Sequence, residues 1–494
     1  MRKILCLFIV VFLLIIVPVW GMEGCYSIVA GKKATADGSV LFGHNEDNAR
    51  KFVAGLWKVE RMTHARDEMV QLQSGTHIPQ AETTLGYWWL QMPERDYSDG
   101  FLNEYGVAIA TDNCPSREDN PVLTGGGIGG PVLRRIIAER ARTAREGVRL
   151  LGSLIERYGY TASGRTMVIC DANEGWLVAM VNGKHWAAAR VPDDKVALIA
   201  NTYTIRRIDL ADTLNYLGSP DLIEYAVKRG WYNPSEGPFD FEKAYADPKV
   251  RVNPGNTHRQ WSGLRLLSAE PVPPPEEQPL TFAVKPKEPL TVQHLTAVLR
   301  DHYENTPYEP GPGYEAKPAH KRHTSTICSP GTNSSSVFQL RSRMPVETGA
   351  VWWLALWQPC STPYMPLYAG MDMAPEELAF GGDAGLSCPF CVFSPEFGTA
   401  YKVFSDLSAW VDEDYAVRIP ALRKQWQSFE KTSFDIQEPL EEYVNGLWGS
   451  NRELARDVLS RYCQGAAARA VQQARLILIG SGAVKDGVGN TLSR

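Results

Sequence analysis

The chain has 494 residues, 44% of them apolar and 22% charged, with a formal net charge of −5 at pH 7. These values describe a globular chain with ample material for a large core, and length alone allows about three domains. The mild acidity argues against nucleic acid as a partner.

At the N-terminus, Arg2 and Lys3 precede an apolar run from Ile4 to Val17, then Pro18-Val19-Trp20-Gly21. This is the n-region, h-region and cleavage site of a secretory signal, and the run is short for a membrane span. Export is expected, with no membrane span once the signal is removed. Small residues at Val19 and Gly21 suit cleavage after Gly21, which divides the chain into a signal (1–21), a short propeptide (22–24) and a domain from 25 to 494.

Cys25 stands at that junction. As first residue of the mature chain it would carry a thiol and a free α-amine together. The amine titrates near ~7.7–8.0 and a thiol near ~8.5, so the amine can take the thiol proton and return it to a leaving group. After it, Tyr26, Ile28 and Ala30 alternate with Ser27 and Val29, Ala36-Asp37-Gly38-Ser39 supplies a turn, and Val40-Leu41-Phe42 follows. This pattern predicts a hairpin, and antiparallel pairing returns Gly43-His44-Asn45-Glu46-Asp47 to the end where Cys25 lies. Carboxylates there can orient the ammonium form of the amine, and a cation would favour the thiolate. The plain alternatives are a hairpin ending in a solvated acidic loop, and a Cys25 that anchors a surface lipoprotein or binding protein.

Nine cysteines occur. Setting aside Cys6, which leaves with the signal, and Cys25 leaves an odd number, which argues against a fully paired disulfide framework. Cys388-Pro-Phe-Cys391 has the spacing of a redox pair or half a zinc site, but no second CxxC exists, and His320 and His323 are the closely spaced histidines nearby. A local disulfide or two buried thiols is expected there.

Further along, Tyr87 to Met92 and Phe101 to Thr111 read as strands, the second broken by a turn at Asn103 to Gly106. Asn113 closes the second run, where an amide is either an oxyanion donor or a turn former. Gly125 to Gly130 formally contains GxGxxG, without the strand and acidic residue of a dinucleotide site, and is expected to lead flexibly into helices over Val132 to Arg145 and Glu146 to Tyr158. Thr166 to Cys170, Gly175 to Val181, His185 to Arg190 and Val196 to Ala200 predict a meander of one antiparallel sheet. It ends at Asn201, a second candidate donor or substrate clamp. Trp176 and Trp186 are expected in the core.

The Pro- and charge-rich stretch Glu270 to Thr291 predicts an extended excursion, Leu295 to Tyr303 a short helix, and Val337 to Leu340 and Val351 to Leu356 strands. Asn333-Ser-Ser has the form of a glycosylation acceptor. Helices are expected around Tyr401 to Ala409, Arg418 to Lys431 and Asn451 to Leu478. Trp352, Trp353, Trp357 and Tyr368 are expected in the core.

The order of these landmarks resembles the dipeptidases of the N-terminal-nucleophile hydrolase superfamily, the group containing dipeptidase A and the secernins, distant relatives of bile-salt hydrolase and penicillin V acylase. The residues that carry the resemblance are CYSIVAGKKATADGSVLFGHNED, LNEYGVAI, LRRIIAERARTAREGVRLLGSLIERYG, ICDANEGWLVAMVNGKHWAAARV and ALIANTYTI. NTHRQWSGLRLL, LRDHYENTPYE, TSTICSP, VFQLRSRMP and VWWLALWQPCSTPYMPLY follow in the second half. Together they run from Cys25 to about Tyr368.

The resemblance implies an α+β fold, an αββα four-layer sandwich of antiparallel sheets with extra C-terminal helices. It implies Cys25 as nucleophile and Asp47 as the group orienting its amine. The family's basic position falls on His44, where the acylases have arginine, and its asparagine on Asn45. Asn113 and Asn201 fall near the acylases' oxyanion and amine-binding asparagines, and Arg259, or else Arg265, near their late catalytic arginine. The expected activity is hydrolysis of small peptides through an acyl-enzyme, with no cofactor and no metal; an acylase cleaving a non-peptide amide is the alternative. Homo-oligomerisation is left open.

Overall fold

The structure, a computed structural model, describes residues 24–48, 54–92, 97–277, 279–309, 320, 325–379 and 399–483. The expected signal (1–21), Met22 and Glu23 of the propeptide, and the Cys388/Cys391 pair lie outside the described residues.

In chain order, β1 (Tyr26–Ala30) and β2 (Val40–Asp47) form the first hairpin. β3 (Gly55–Val59) is followed by two small ribbons: β4 (Met62–Thr63) pairs with β7 (Thr83–Thr84), and β5 (Met69–Gln71) with β6 (His77–Pro79). Then come β8 (Tyr87–Met92), β9 (Tyr97–Asn103), β10 (Ala108–Asn113), α1 (Gly130–Arg140) and α2 (Ala144–Tyr158). Strands β11 (Tyr160–Cys170), β12 (Gly175–Gly183), β13 (Trp186–Arg190), β14 (Val196–Ile199) and β15 (Tyr216–Gly218) follow. Short helices α3 (Leu222–Lys228), α4 (Phe241–Tyr245) and α5 (Pro248–Arg251) precede α6 (Pro254–Leu267), β16 (Ala283–Val284) and α7 (Val292–Leu299). The chain continues through β17 (Thr332–Leu340), α8 (Val346–Gly349), β18 (Ala350–Leu356), β19 (Met365–Tyr368), α9 (Thr399–Glu413), α10 (Tyr415–Trp448) and α11 (Arg452–Gly480).

Two large antiparallel sheets result. The first has the order β16-β14-β1-β2-β17-β18-β19 and the second β15-β13-β12-β11-β10-β9-β8-β3. Alternation along the strands gives each sheet two apolar faces, so each must be covered twice. Between the sheets lie Val29, Val40, Phe42, Val168, Cys170 and Leu177. On the far side of the second sheet, Ile136 and Ile137 of α1 and Val148, Leu151 and Ile155 of α2 pack on Met167, Ile169 and Trp176. The far side of the first sheet carries α6 and α7 over β14, β2 and β17, and α9, α10 and α11 over β18 and β19. The αββα layering and the C-terminal helices implied by the resemblance are therefore present, and Trp176, Trp186, Trp352, Trp353, Trp357 and Tyr368 are all buried.

Four expectations are corrected. Val196 to Ala200 does not complete the meander: β14 crosses to the first sheet and pairs with β1, Ile28 opposite Leu198. The crossing is made where Gly31 meets the Pro192–Lys195 turn, with Gly31 N–H donating to Lys195 O; a Cβ on Gly31 would lie 2.4 Å from Pro192 O. Asn333 is no glycosylation acceptor in the folded chain, because TNSSS is part of β17 and Asn333 is fully buried. The helix expected over Leu295 to Tyr303 starts earlier, at a Thr291/His294 capping box, and ends at Leu299; Tyr303 has φ +66°. Helix α10 runs well past Lys431, through Pro420 and Pro439.

Helix α6 lies against the first sheet at Gly263, where a Cβ would come within 1.9 Å of Tyr26 Oη and 2.4 Å of Leu198 Cδ2. Gly263→Ala therefore forces α6 away from β1 and β14. Overpacking of this kind costs ~1–3 kcal/mol. The expected result is a lowered unfolding midpoint, read by thermal denaturation, together with lowered turnover, because Arg259 sits one turn earlier on the same helix.

Candidate active site

Cys25 immediately precedes β1. In the hairpin Ser27 pairs with His44 and Tyr26 with Asn45, so Cys25 stands opposite Glu46. Strand alternation then sorts the side chains. Cys25, Ser27, His44 and Glu46 face the second sheet. Tyr26 and Asn45 face α6 and α7, and Asn45 Nδ2 donates to Leu299 O and Ile327 O, both at 2.9 Å, a purely structural use of the family's asparagine position.

On the inner face the polar groups form a chain. Cys25 Sγ lies 3.5 Å from Glu46 Oε2 and 3.9 Å from Asp47 O. The same Glu46 oxygen is 3.4 Å from His44 Nε2, while Asn48 Nδ2 donates to Glu46 Oε1 at 3.1 Å. His44 Nδ1 is 2.8 Å from Ser27 Oγ, and Ser27 donates its hydroxyl proton to Asp112 Oδ2 of β10 at 2.6 Å. Since the serine proton is spent on Asp112, His44 Nδ1 donates to Ser27, and His44 Nε2 faces the Glu46 carboxylate.

A second chain approaches from α6. Arg259 Nη1 donates to Gly24 O and, at 3.1 Å, to Cys25 O. Its Nη2 donates to Asn201 Oδ1 at 2.7 Å and Asn256 Oδ1 at 3.1 Å, and its Nε to Gly255 O at 2.7 Å. Asn201, held at φ +53° just past β14, donates Nδ2 to Asn113 O at 2.8 Å. The Asn113 amide oxygen lies 3.5 Å from Ser163 Oγ, which leaves its Nδ2 as the amide donor at this end of β10. Arg265 points elsewhere, 3.9 Å from Asp301 Oδ1, so of the two arginines it is Arg259 that reaches Cys25.

Asp47 is enclosed. Ser329 Oγ donates to its Oδ2 at 2.6 Å and Thr332 Oγ1 to its Oδ1 at 2.7 Å. A Cβ on Gly24 would lie 3.1 Å from Asp47 Oδ2 and 3.3 Å from Arg259 Nη1, so these two side chains flank Gly24.

The six residues singled out from sequence, Cys25, His44, Asp47, Asn113, Asn201 and Arg259, are thus brought to one end of the two sheets. Ser27, Asp112 and Asn256 belong to the same network and were given no role, and Glu46 was included only among the carboxylates that can orient the amine. The signal for Glu46 and Ser27 was the period-two alternation from Cys25 around the hairpin; for Asn256 it was its place one helical turn before Arg259.

Burial pushes the Cys25 thiol well above its ordinary range, and the carboxylates of Glu46, Asp112 and Asp47 push it further. With Gly24 attached, the sulfur is a neutral thiol, the reverse of the cation-favoured thiolate expected for a free amino terminus. Burial likewise raises Asp47 to about 6, against the pull of Ser329, Thr332 and Arg259. Among the described residues two groups have metal-ligand geometry: Cys25, His44 and Glu46, and, at a separate place, His302, His320, Cys328 and Cys360.

A profile of Peptidase family C69 matches residues 24–427. The chain is 31% identical over 363 residues to a "Probable dipeptidase" of Latilactobacillus sakei, covering 71% of this chain and 75% of that one. It is 27% identical over 360 residues to a "Probable dipeptidase" of Salmonella dublin, covering 70% and 81%. The structure of penicillin V acylase from Agrobacterium tumefaciens aligns with a TM-score of 0.32 at 12% identity, over 72% of this chain and 88% of that one.

Asp47 carries the stability prediction of this site. Its folded value of about 6 lies above the ~3.9 of an unfolded chain, so its protonated form is favoured by folding. The stability it contributes is complete below ~4 and is lost as pH rises through about 6, a cost of roughly 2–3 kcal/mol at neutral pH. Asp47→Asn should therefore unfold no earlier than wild type at pH 7.5, and its advantage should shrink at pH 5; thermal denaturation at the two pH values reads the difference.

Proposed function

The chain belongs to Peptidase family C69, and from that premise we propose that it is an exported cysteine dipeptidase whose nucleophile is Cys25, made N-terminal by cleavage of its own Gly24–Cys25 bond. The observation that carries this reading is the pairing of a thiol and a carboxylate at Cys25 and Glu46 with an arginine on the carbonyl oxygens of Gly24 and Cys25.

In processing, Cys25 Sγ attacks the Gly24 carbonyl carbon as Glu46 takes the thiol proton. The negative charge that develops on Gly24 O meets Arg259 Nη1. The C–N bond breaks, Cys25 N receives a proton, and water hydrolyses the resulting thioester to free the Met22–Gly24 segment. The local balance of charge then inverts. A thiol that faced three carboxylates acquires an ammonium on its own residue, and Asp47, no longer covered by Gly24, faces that group.

In turnover the neutral α-amine takes the thiol proton, and Sγ attacks the carbonyl carbon of the substrate. The oxyanion is stabilised by the Asn113 amide. The ammonium protonates the leaving amine as the peptide bond breaks, and water activated by the same amine hydrolyses the acyl-enzyme. The apolar run from Ile4 to Val17 supports export.

Cys25→Ala should remain unprocessed and lose turnover on dipeptides to the limit of detection, measured by intact-mass analysis and by product release from a dipeptide panel. A mature wild-type protein from its native host that begins at Met22, acylated Cys25, or cleavage of acyl-amides but not of unblocked dipeptides would each overturn the reading.

Gly24→Val tests the processing step alone. Its side chain would crowd Asp47 Oδ2 and Arg259 Nη1. Strain of ~1–3 kcal/mol at the attacked carbonyl translates into maturation slowed by roughly 5- to 150-fold, followed by N-terminal mass spectrometry. Chains that do mature begin at Cys25, are identical to wild type and should turn over at the wild-type rate.

A further inference from the structure

A second cluster of reactive side chains lies behind the first sheet and takes no part in the chemistry at Cys25. His302 follows α7, Cys328 precedes β17, Cys360 lies between β18 and β19, and His320 joins them. All four are buried, and their donor atoms lie within 4.8 Å of one another. Neither cysteine is in a disulfide.

The spacing is that of a tetrahedral metal. His302 Nε2 and His320 Nε2 are 3.1 Å apart, and His320 Nε2 is 3.5 Å from Cys360 Sγ and 3.7 Å from Cys328 Sγ. Four-coordinate zinc, with Zn–N ~2.0–2.1 Å and Zn–S ~2.3 Å, sets its ligands roughly 3.3 Å apart for N···N and roughly 3.6 Å for N···S. The observed distances fall close to those edges.

The outer partners point the same way. His320 Nδ1 is 2.6 Å from Asp412 Oδ1 of α9, and His302 Nδ1 is 3.4 Å from Glu304 Oε1. With each Nδ1 against a carboxylate, both Nε2 atoms converge on one point, an arrangement that a metal cation between them satisfies. Carboxylates behind the imidazoles are the usual second layer of zinc sites. Two thiolates, two neutral imidazoles and one divalent ion sum to zero charge, which suits burial. Cys360 and Glu304 also line a cavity of about 990 Å³.

We propose that His302, His320, Cys328 and Cys360 bind a structural Zn²⁺ in a closed tetrahedral site. The ion ties together the segment after α7, the entry to β17, the β18–β19 connection and, through Asp412, α9. It also braces Asp47 at one remove, because Cys328 is followed by Ser329, whose hydroxyl holds Asp47 Oδ2. Binding releases the thiol protons and leaves no coordination position for substrate.

The test is metal analysis of the full chain purified without chelator or added metal. About one zinc per chain is expected in wild type and in Cys25→Ala, the latter excluding the Cys25, His44 and Glu46 group as the holder. Cys328→Ser with Cys360→Ser should fall below about a tenth of that content. Should that double variant fail to fold, wild-type protein exchanged with Co²⁺ gives the same information: intense tetrahedral ligand-field bands with thiolate-to-cobalt charge transfer support the site. Wild type without stoichiometric metal, a Cys328–Cys360 disulfide found by peptide mass analysis, or a cobalt spectrum lacking thiolate bands would overturn it.

Discussion

The pairing of Ser27 with His44 is the constraint on which the site depends. Side chains alternate along a strand, so a slip of one residue would turn Cys25 and Glu46 from the inter-sheet face to the face under α6 and α7. The turn fixes that register. Gly38 takes φ +75°, Thr35 Oγ1 donates to Ser39 O at 2.7 Å, and Asp37 accepts from Ser39 Oγ at 2.5 Å and from Gln339 of β17 at 2.7 Å. Burial works against the Asp37 charge, yet these donors hold its carboxyl below the ordinary range, so it stays an acceptor. β17 then continues the pairing on the other side of β2, with Ser336 opposite His44. The position of Cys25 is thus set by a turn far from it and by a strand from the second half of the chain.

Given that register, the electrostatics follow from which groups share the inner face. Glu46 and Asp112 converge on one side of the sulfur and Asp47 on the other, and the cations set against them are Arg259 and, when protonated, His44. Every one of these side chains is buried. Burial makes each charge depend on a specific partner, and so the asparagines matter: Asn201 and Asn256 accept from Arg259 and leave its Nη1 aimed at the Gly24 and Cys25 carbonyls. An arginine without them would be free to pair with Asp47 directly. The asparagine positions are thus a means of keeping opposite charges in the same pocket without letting them neutralise each other.

Much of this was legible in the sequence because strand ends announce themselves. Cys25 stands where a strand begins and Asp47, Asn113 and Asn201 where an apolar run has stopped, and the ends of strands are where a sheet's chemistry gathers. What was not legible depended on non-local partners. A run of short strands separated by turns looks the same whether the chain stays in one sheet or changes sheets, and β14 changes because β1 offers it an unpaired edge. The Asn333-Ser-Ser pattern is local, while its burial comes from β2 and β18 on either side. Glu46 differs from its acidic neighbour Asp47 only by facing the other way. CxxC spacing drew attention to Cys388 and Cys391, whereas the four donors that cluster are single residues with no motif between them.

The same contrast explains the C-terminal helices, which among the described residues carry no side chain to Cys25 and look dispensable on that count. Arg300, two residues before His302, is held by both oxygens of Glu430 on α10, at 2.5 and 3.2 Å, and Glu430 also accepts from Tyr364 N–H at 2.9 Å. Arg341, just past β17, is held by both oxygens of Glu441, at 2.6 and 2.7 Å. Asp412 of α9 reaches His320. Buried pairs of this kind add little net stability, because desolvation offsets most of their attraction, but removing one partner strands a charge and costs ~3–5 kcal/mol. Their effect is to make one arrangement of α9 and α10 on the first sheet far better than any near alternative. That arrangement fixes the segment from Arg300 to Tyr303 and the β18–β19 connection, against which the Cys328-Ser329 turn packs, and so it determines where the hydroxyls that hold Asp47 can stand.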